Sequence, residues 1–147
     1  MMEQIREAVN YLKEQGIGEA ELGIVLGTGL GKLVKRVDIE KAVKYVSIPH
    51  FPVSTVEFHR GELIYGTLKG KKVLMMQGRF HYYEGYNLKQ VTFPIRVLKL
   101  MGIQNLILSN AGGSVNPDFK KGELMLLDDH INLLPDNPLT GKNLDEL

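Results

Sequence analysis

The chain has 147 residues, 44% of them hydrophobic and 24% charged, with 18 Lys plus Arg against 17 Asp plus Glu. That is the composition of one globular domain able to bury a core without staples, and a net charge of +1 supplies no field for long nucleic acid or an acidic membrane surface. Cysteine is absent, which excludes a disulfide framework, thiolate zinc sites and cysteine nucleophiles and suits a reducing cytoplasm.

Ile5, Ala8, Val9 and Leu12 recur on one helical face, and Gly16 stands where a left-handed cap is needed, so Glu3 to Gln15 is predicted to be helical. Leu22 to Leu26 reads as a buried strand running into Gly27-Thr28-Gly29-Leu30-Gly31. Val43 to Ile48 is predicted as a strand stopped by Pro49 and Pro52, and Glu62 to Leu68 with Lys72 to Gln77 as an antiparallel hairpin turning at Gly70. Asn87 caps a helix through Met101, with Val91, Ile95 and Leu98 facing inward and Pro94 either kinking it or marking its start; Gly102 closes it. Asn105 to Ser109 reads as another buried strand, leading into Asn110-Ala111-Gly112-Gly113, and Leu124 to Leu127 as the next, ending on Asp128-Asp129-His130. The longest apolar runs, Val73 to Met76 and Leu124 to Leu127, fall far short of the roughly 18–20 residues that span a bilayer, and the charged amphipathic start predicts no secretory leader. Strands alternating with helices predict an α/β fold with a mixed, largely parallel twisted sheet flanked by helices, its site at strand C-terminal ends.

Three loops carry the candidate chemistry. Gly27 to Gly31 lacks the Lys-Ser/Thr ending of a P-loop, and its third glycine falls one residue early for the dinucleotide fingerprint. It is either an anion cradle of backbone N–H groups with the Thr28 hydroxyl beside them or a plain tight turn. Arg79 and His81 alternate about Phe80, so on extended backbone both polar side chains share one face while Phe80 packs on the other. Arginine offers a planar fork of donors for phosphate or carboxylate, and histidine a donor that strengthens on protonation. Glu84, three residues on, is placed to orient that imidazole, with Tyr83 beside it. Asn110 to Gly113 is either a set of exposed backbone donors with an amide for a heterocycle or an ordinary turn. His59 reads as a surface residue with a weaker claim on an anion, and His50 as structural. Asp128-Asp129-His130 lacks ligand spacing on one face and reads as polar caps of a strand end, so no metal is expected.

Taken in this order, Gly27-Thr28-Gly29-Leu30-Gly31, His59-x-Gly61, Gly78-Arg79-Phe80-His81-x-Tyr83-Glu84-Gly85-Tyr86, Asn110-Ala111-x-Gly113 and Asp129-His130-Ile131-Asn132 followed by Asn137-Pro138-Leu139 resemble the N-terminal half of the trimeric, low-molecular-mass purine nucleoside phosphorylases. The related methylthioadenosine phosphorylases share the layout, but the His-Tyr-Tyr-Glu-Gly continuation and Asn110 are more similar to the purine nucleoside branch. The resemblance implies that residues 1–147 form the N-terminal part of a single nucleoside phosphorylase domain, whose C-terminal half lies outside this chain. It implies that Thr28, Arg79, His81 and the Ala111 N–H hold phosphate, with His59 at the edge. Tyr83 would meet the ribose hydroxyls, Glu84 would orient His81, and Asn110, Ala111, Gly112 and Gly113 would lie near ribose and purine, His81 and Glu84 being the catalytic pair. The sequence departs from the family at Gly112, where a second Ala is usual, at Ser114, where Gly is common, and at the bulkier Glu57-Phe58.

The reaction so implied is phosphorolysis of purine nucleosides, with phosphate as nucleophile and neither metal nor organic cofactor required. The implied setting is the cytoplasm, and the implied assembly a homotrimer or a hetero-oligomer with a chain carrying the remaining half. A non-catalytic phosphate- or nucleoside-binding module and a structural oligomerisation domain are the rival classes.

Overall fold

The computed structural model describes residues 1–53, 61–144 and 146. Helix α1 (Met2–Glu14) buries Ile5, Ala8, Val9 and Leu12, the stripe that their spacing predicts. Gly16, at φ +84°, turns the chain away beyond it.

Five strands follow: β1 (Leu22–Val25), β2 (Asp38–Lys44), β3 (Glu62–Leu68), β4 (Lys71–Gln77) and β5 (Asn105–Leu108). They form one sheet in the order β2-β3-β4-β1-β5. β1 runs parallel to both β4 and β5, whereas β3 is antiparallel to β2 and to β4. The sheet is therefore mixed, as expected, and β4, β1 and β5 release their following loops at the same end.

Alternation along the strands divides the apolar side chains between two faces. Val25, Leu63, Tyr65, Leu74 and Met76 pack with α1 and with Phe93, Val97 and Leu98 of helix α2 (Leu88–Leu100). Ile24, Leu26, Ile64, Val73 and Met75 face the other way, where Leu33 and Val34 of a short 3-10 helix, Gly31–Arg36, cover them. β4 has buried side chains on both faces, which is why it reads as a continuous apolar run. Among the described residues no helix is long and apolar enough to cross a membrane.

Several local expectations change. The strand expected over Val43 to Ile48 starts at Asp38 and stops at Lys44, and Tyr45–Ser47 coils into a 3-10 turn. β2 lies at the sheet margin and exposes every residue but Val43, so it carries no apolar alternation to read. α2 does not start at Pro94, which lies inside it; its buried face is Leu88, Phe93, Pro94, Val97 and Leu98, with Val91 and Ile95 only partly covered. β5 is a marginal strand rather than a buried one, with Ile107 52% and Leu108 63% exposed. Leu124 to Leu127 form no strand and are all exposed, because an apolar run without a ladder partner gains nothing from extension. Asp128-Asp129-His130 therefore caps no strand.

Candidate functional site

The parallel register sets Val25 beside both Met76 and Leu108, so the chains leaving β4, β1 and β5 emerge side by side. Ser109 joins them. Its backbone N–H and its hydroxyl both donate to the carbonyl of Val25, each across 3.1 Å. Its Oγ accepts the buried N–H of Gly27 at 2.8 Å, and its carbonyl accepts from Nη1 of Arg79 at 2.6 Å. A Cβ at Gly27 would stand 2.6 Å from that carbonyl oxygen, so the close approach of β1 and β5 requires glycine there.

Arg79 and His81 fall on one side of Phe80, as their alternation predicts, and Phe80 is buried. Phe80 packs against Tyr45 and Tyr86, with ring centroids 5.2 and 6.1 Å away. The Tyr45 hydroxyl donates to the carbonyl of Gly78 at 2.8 Å, fixing the backbone just before Arg79. Burial raises the pKa of this phenol far above its ordinary value, with the nearby Glu62 charge acting in the same direction.

Nε of Arg79 donates to Nε2 of His81 across 3.1 Å. A guanidinium only donates, so Nε2 is the accepting nitrogen and the ring proton sits on Nδ1. That proton is donated to Oε1 of Glu84 across 2.6 Å, and the backbone N–H of His81 donates to the same oxygen at 2.9 Å. The Glu84 side chain is 3% exposed and that of His81 14%. Guanidinium, imidazole and carboxylate thus form one connected chain. Glu84 is thus bonded to both the ring and the backbone of His81, while Nε2, expected from the sequence to be a donor, is an acceptor towards Arg79.

Tyr83 stacks on the His81 ring at 4.6 Å and 17° and is itself 77% exposed. It helps to line a cavity of about 380 Å³ with Tyr82, Gly85, Tyr86 and Asn87. Thr28 is exposed on the loop that Gly27 anchors. Asn110, Ala111, Gly112 and Gly113 are exposed beyond β5, and the Asn110 amide donates to the carbonyl of Ala111 at 3.3 Å. His59 lies outside the described residues. His50 has the structural place expected of it, its Nε2 lying 2.6 Å from Glu7 on α1 and its ring edge-on to Phe93 of α2. Among the described residues no group of three or more His, Asp or Glu is gathered closely enough to hold a metal ion.

Two residues with a part in this geometry were not singled out from the sequence. Ser109 reads only as the last residue of a strand, and nothing in its neighbours announces its bonds. Tyr45 sits in an apolar stretch, and its one signal is that a buried tyrosine hydroxyl needs an acceptor.

The same architecture occurs in known proteins. Purine nucleoside phosphorylase 1 of Geobacillus stearothermophilus is 52% identical over 141 residues, covering 95% of this chain and 51% of that protein. Purine nucleoside phosphorylase 1 of Bacillus subtilis (strain 168) is 48% identical over 143 residues, covering 97% and 53%. A crystal structure of isoform 2 of purine nucleoside phosphorylase from Schistosoma mansoni, in complex with cytosine and ribose-1-phosphate, superposes with a TM-score of 0.75 at 39% identity, covering 82% of this chain and 42% of that one. The chain spans about half the length of the curated relatives it matches. Residues 21–145, from the start of β1 through the loops after β5, match the phosphorylase superfamily. With the mixed sheet and the order of the loops in agreement, the chain belongs to the phosphorylase superfamily.

Proposed function

We propose that this chain carries the phosphate half-site of a purine nucleoside phosphorylase, which converts purine ribo- or deoxyribonucleosides and inorganic phosphate to free base and the pentose 1-phosphate. The observation that carries this reading is the Arg79–His81–Glu84 chain of hydrogen bonds at the shared loop end of β4, β1 and β5. The relatives named for this activity and the ribose-1-phosphate held by the Schistosoma mansoni protein support it.

In the reaction, a phosphate oxygen forms a bond to the anomeric carbon as the bond from that carbon to the purine nitrogen breaks. The base departs with the electron pair and is protonated. The nucleophile arrives already charged, so the protein's task is alignment and charge stabilisation, and the reading calls for no metal or organic cofactor. Arg79, anchored through Nε to His81 and through Nη1 to Ser109, offers its remaining N–H donors to the anion. His81 stands beside the same anion, held by Arg79 at Nε2 and by the Glu84 carboxylate at Nδ1. The Thr28 hydroxyl and the Ala111 N–H complete the cradle, with His59 at its edge, while Tyr83, Asn110, Gly112 and Gly113 border ribose and purine. Free bases so released are available for reuse, and a chain without cysteine suits the cytoplasm.

The groups that stabilise the departing purine belong, on this reading, to the part of the domain beyond residues 1–147. Each electrostatic donor missing at the departing base is worth about a hundred- to a thousandfold, so negligible turnover is expected of these residues alone. Steady-state phosphorolysis of inosine tests this, with Arg79→Ala as the control for contaminating host enzyme. Turnover is expected only when a chain carrying the remaining elements is added, reaching the ordinary enzymatic range of about 1 per second or more. Ordinary turnover by the 147 residues alone, absent in Arg79→Ala, shows instead a complete site. Binding without turnover in either case shows a binding module.

Association belongs to the same reading, as a homotrimer or with a complementing chain. It is supported by the exposed apolar residues Ile107 and Leu108 on β5 and by Leu124 and Leu126 beyond it. A stable monomer by light scattering at micromolar concentration, with no apolar dye bound, counts against it.

A further inference from the structure

Ser109 makes four hydrogen bonds to the strands and loops beside it: two to the Val25 carbonyl, one from the Gly27 N–H and one from Arg79. Its hydroxyl has a single proton, and that proton goes to Val25, so the side chain has no donor to offer an anion. It nevertheless touches the backbone next to Thr28 through its oxygen and the Arg79 side chain through its carbonyl. We infer that Ser109 is a positioning residue that holds the Gly27–Thr28 loop and Arg79 at a fixed separation, so that both meet one phosphate. The inference rests on the phosphate reading given above.

The two attachments are chemically separable. The Arg79 bond uses the backbone carbonyl, which every residue has, whereas the Gly27 bond uses the hydroxyl. Ser109→Ala therefore releases the Thr28 loop and leaves Arg79 attached, and Ser109→Thr keeps both. Ser109 stands half-buried just beyond a marginal strand.

The test is calorimetric titration of the 147-residue chain with inorganic phosphate. Ser109→Ala is expected to weaken binding about tenfold, the usual effect of one hydrogen bond, and Ser109→Thr to restore it. In a Thr28→Ala background the effect of Ser109→Ala is expected to shrink, and in an Arg79→Lys background to persist, because the hydroxyl acts through the first loop alone. Unchanged affinity in Ser109→Ala, or an undiminished effect beside Thr28→Ala, overturns the inference. Failure of the unmutated chain to bind phosphate, or unaltered binding by Arg79→Ala, instead overturns the phosphate reading and the inference with it. If Ser109→Ala does not fold by circular dichroism, the amide resonances of Gly27 and Thr28 in the unmutated chain decide. A saturating shift of both with added phosphate supports the inference, and unmoved resonances overturn it.

Discussion

One carboxylate oxygen of Glu84 accepts two hydrogen bonds from His81, one from the ring at 2.6 Å and one from the backbone at 2.9 Å. The side chain therefore fixes the position of residue 81 and the direction of its imidazole together. Glu84→Gln keeps the shape and removes the charge. It is expected to keep the fold and to weaken phosphate binding by roughly three- to tenfold, the scale of losing charge assistance on one bond. Glu84→Ala leaves the His81 N–H without its acceptor in a nearly closed site, a loss of about 1–3 kcal/mol in urea denaturation. If Glu84→Gln binds phosphate as tightly as the unmutated chain, the charge on Glu84 has no part in binding.

At Gly27, a methyl group would stand 2.6 Å from the Ser109 carbonyl oxygen, a backbone atom with little freedom to move. Gly27→Ala is expected to push β1 and β5 apart, costing about 1–3 kcal/mol and lowering phosphate affinity. Gly112→Ala meets nothing closer than the Asn110 amide at 3.8 Å and is expected to change stability by less than about 0.5 kcal/mol. Thermal denaturation of both variants checks the contrast, which fails if the two substitutions cost the same.

Tyr45 supplies a pH dependence. Its pKa is raised by burial and by Glu62, so the folded state favours the neutral phenol. That contribution is complete below the ordinary tyrosine value of about 10 and declines as the pH rises above it, with the unfolded chain ionising first. Absorbance titration of the six tyrosines is expected to show a late step that coincides with alkaline unfolding. In Tyr45→Phe the amplitude of that step falls by one tyrosine. The same substitution leaves the Gly78 carbonyl without its donor and is expected to cost about 1–3 kcal/mol near neutral pH. Ionisation of Tyr45 before unfolding contradicts the assignment.

Asn87 and Gln90 cap α2 reciprocally, at 2.9 and 3.0 Å. Asn87→Ala is expected to cost about 1 kcal/mol, read as a lower Tm, with phosphate affinity unchanged because the cap lies outside the Arg79–His81–Glu84 chain.

That cap was legible in the sequence because its chemistry is local, and so was the helical stripe of α1. The β3–β4 hairpin was legible too, since both strands and their turn lie within one short stretch. The Arg79, Phe80, His81 alternation survived folding for the same reason. What the sequence hid depends on neighbours distant along the chain. Asn105 to Ser109 has the composition of a buried strand, and its exposure follows only from its place at the margin of the sheet. Leu124 to Leu127 has the composition of a strand and no ladder to join. Ser109 owes its position to Val25 and Gly27, more than eighty residues away, and no periodicity reports such a bond.

The two margins of the sheet differ in what they admit. β2 presents Asp38, Glu40, Lys41 and Lys44 to solvent and slips register against β3 between Ile39 and Lys41, and both features discourage another strand from docking there. β5 has no charged residue and presents Ile107 and Leu108. A fibre of stacked sheets needs a receptive margin at each end of every copy, and the described residues offer one. Pairing of β5 with β5 joins two copies and then stops, because only guarded margins remain outermost. The charged strand thus confines accidental sheet growth to a single step.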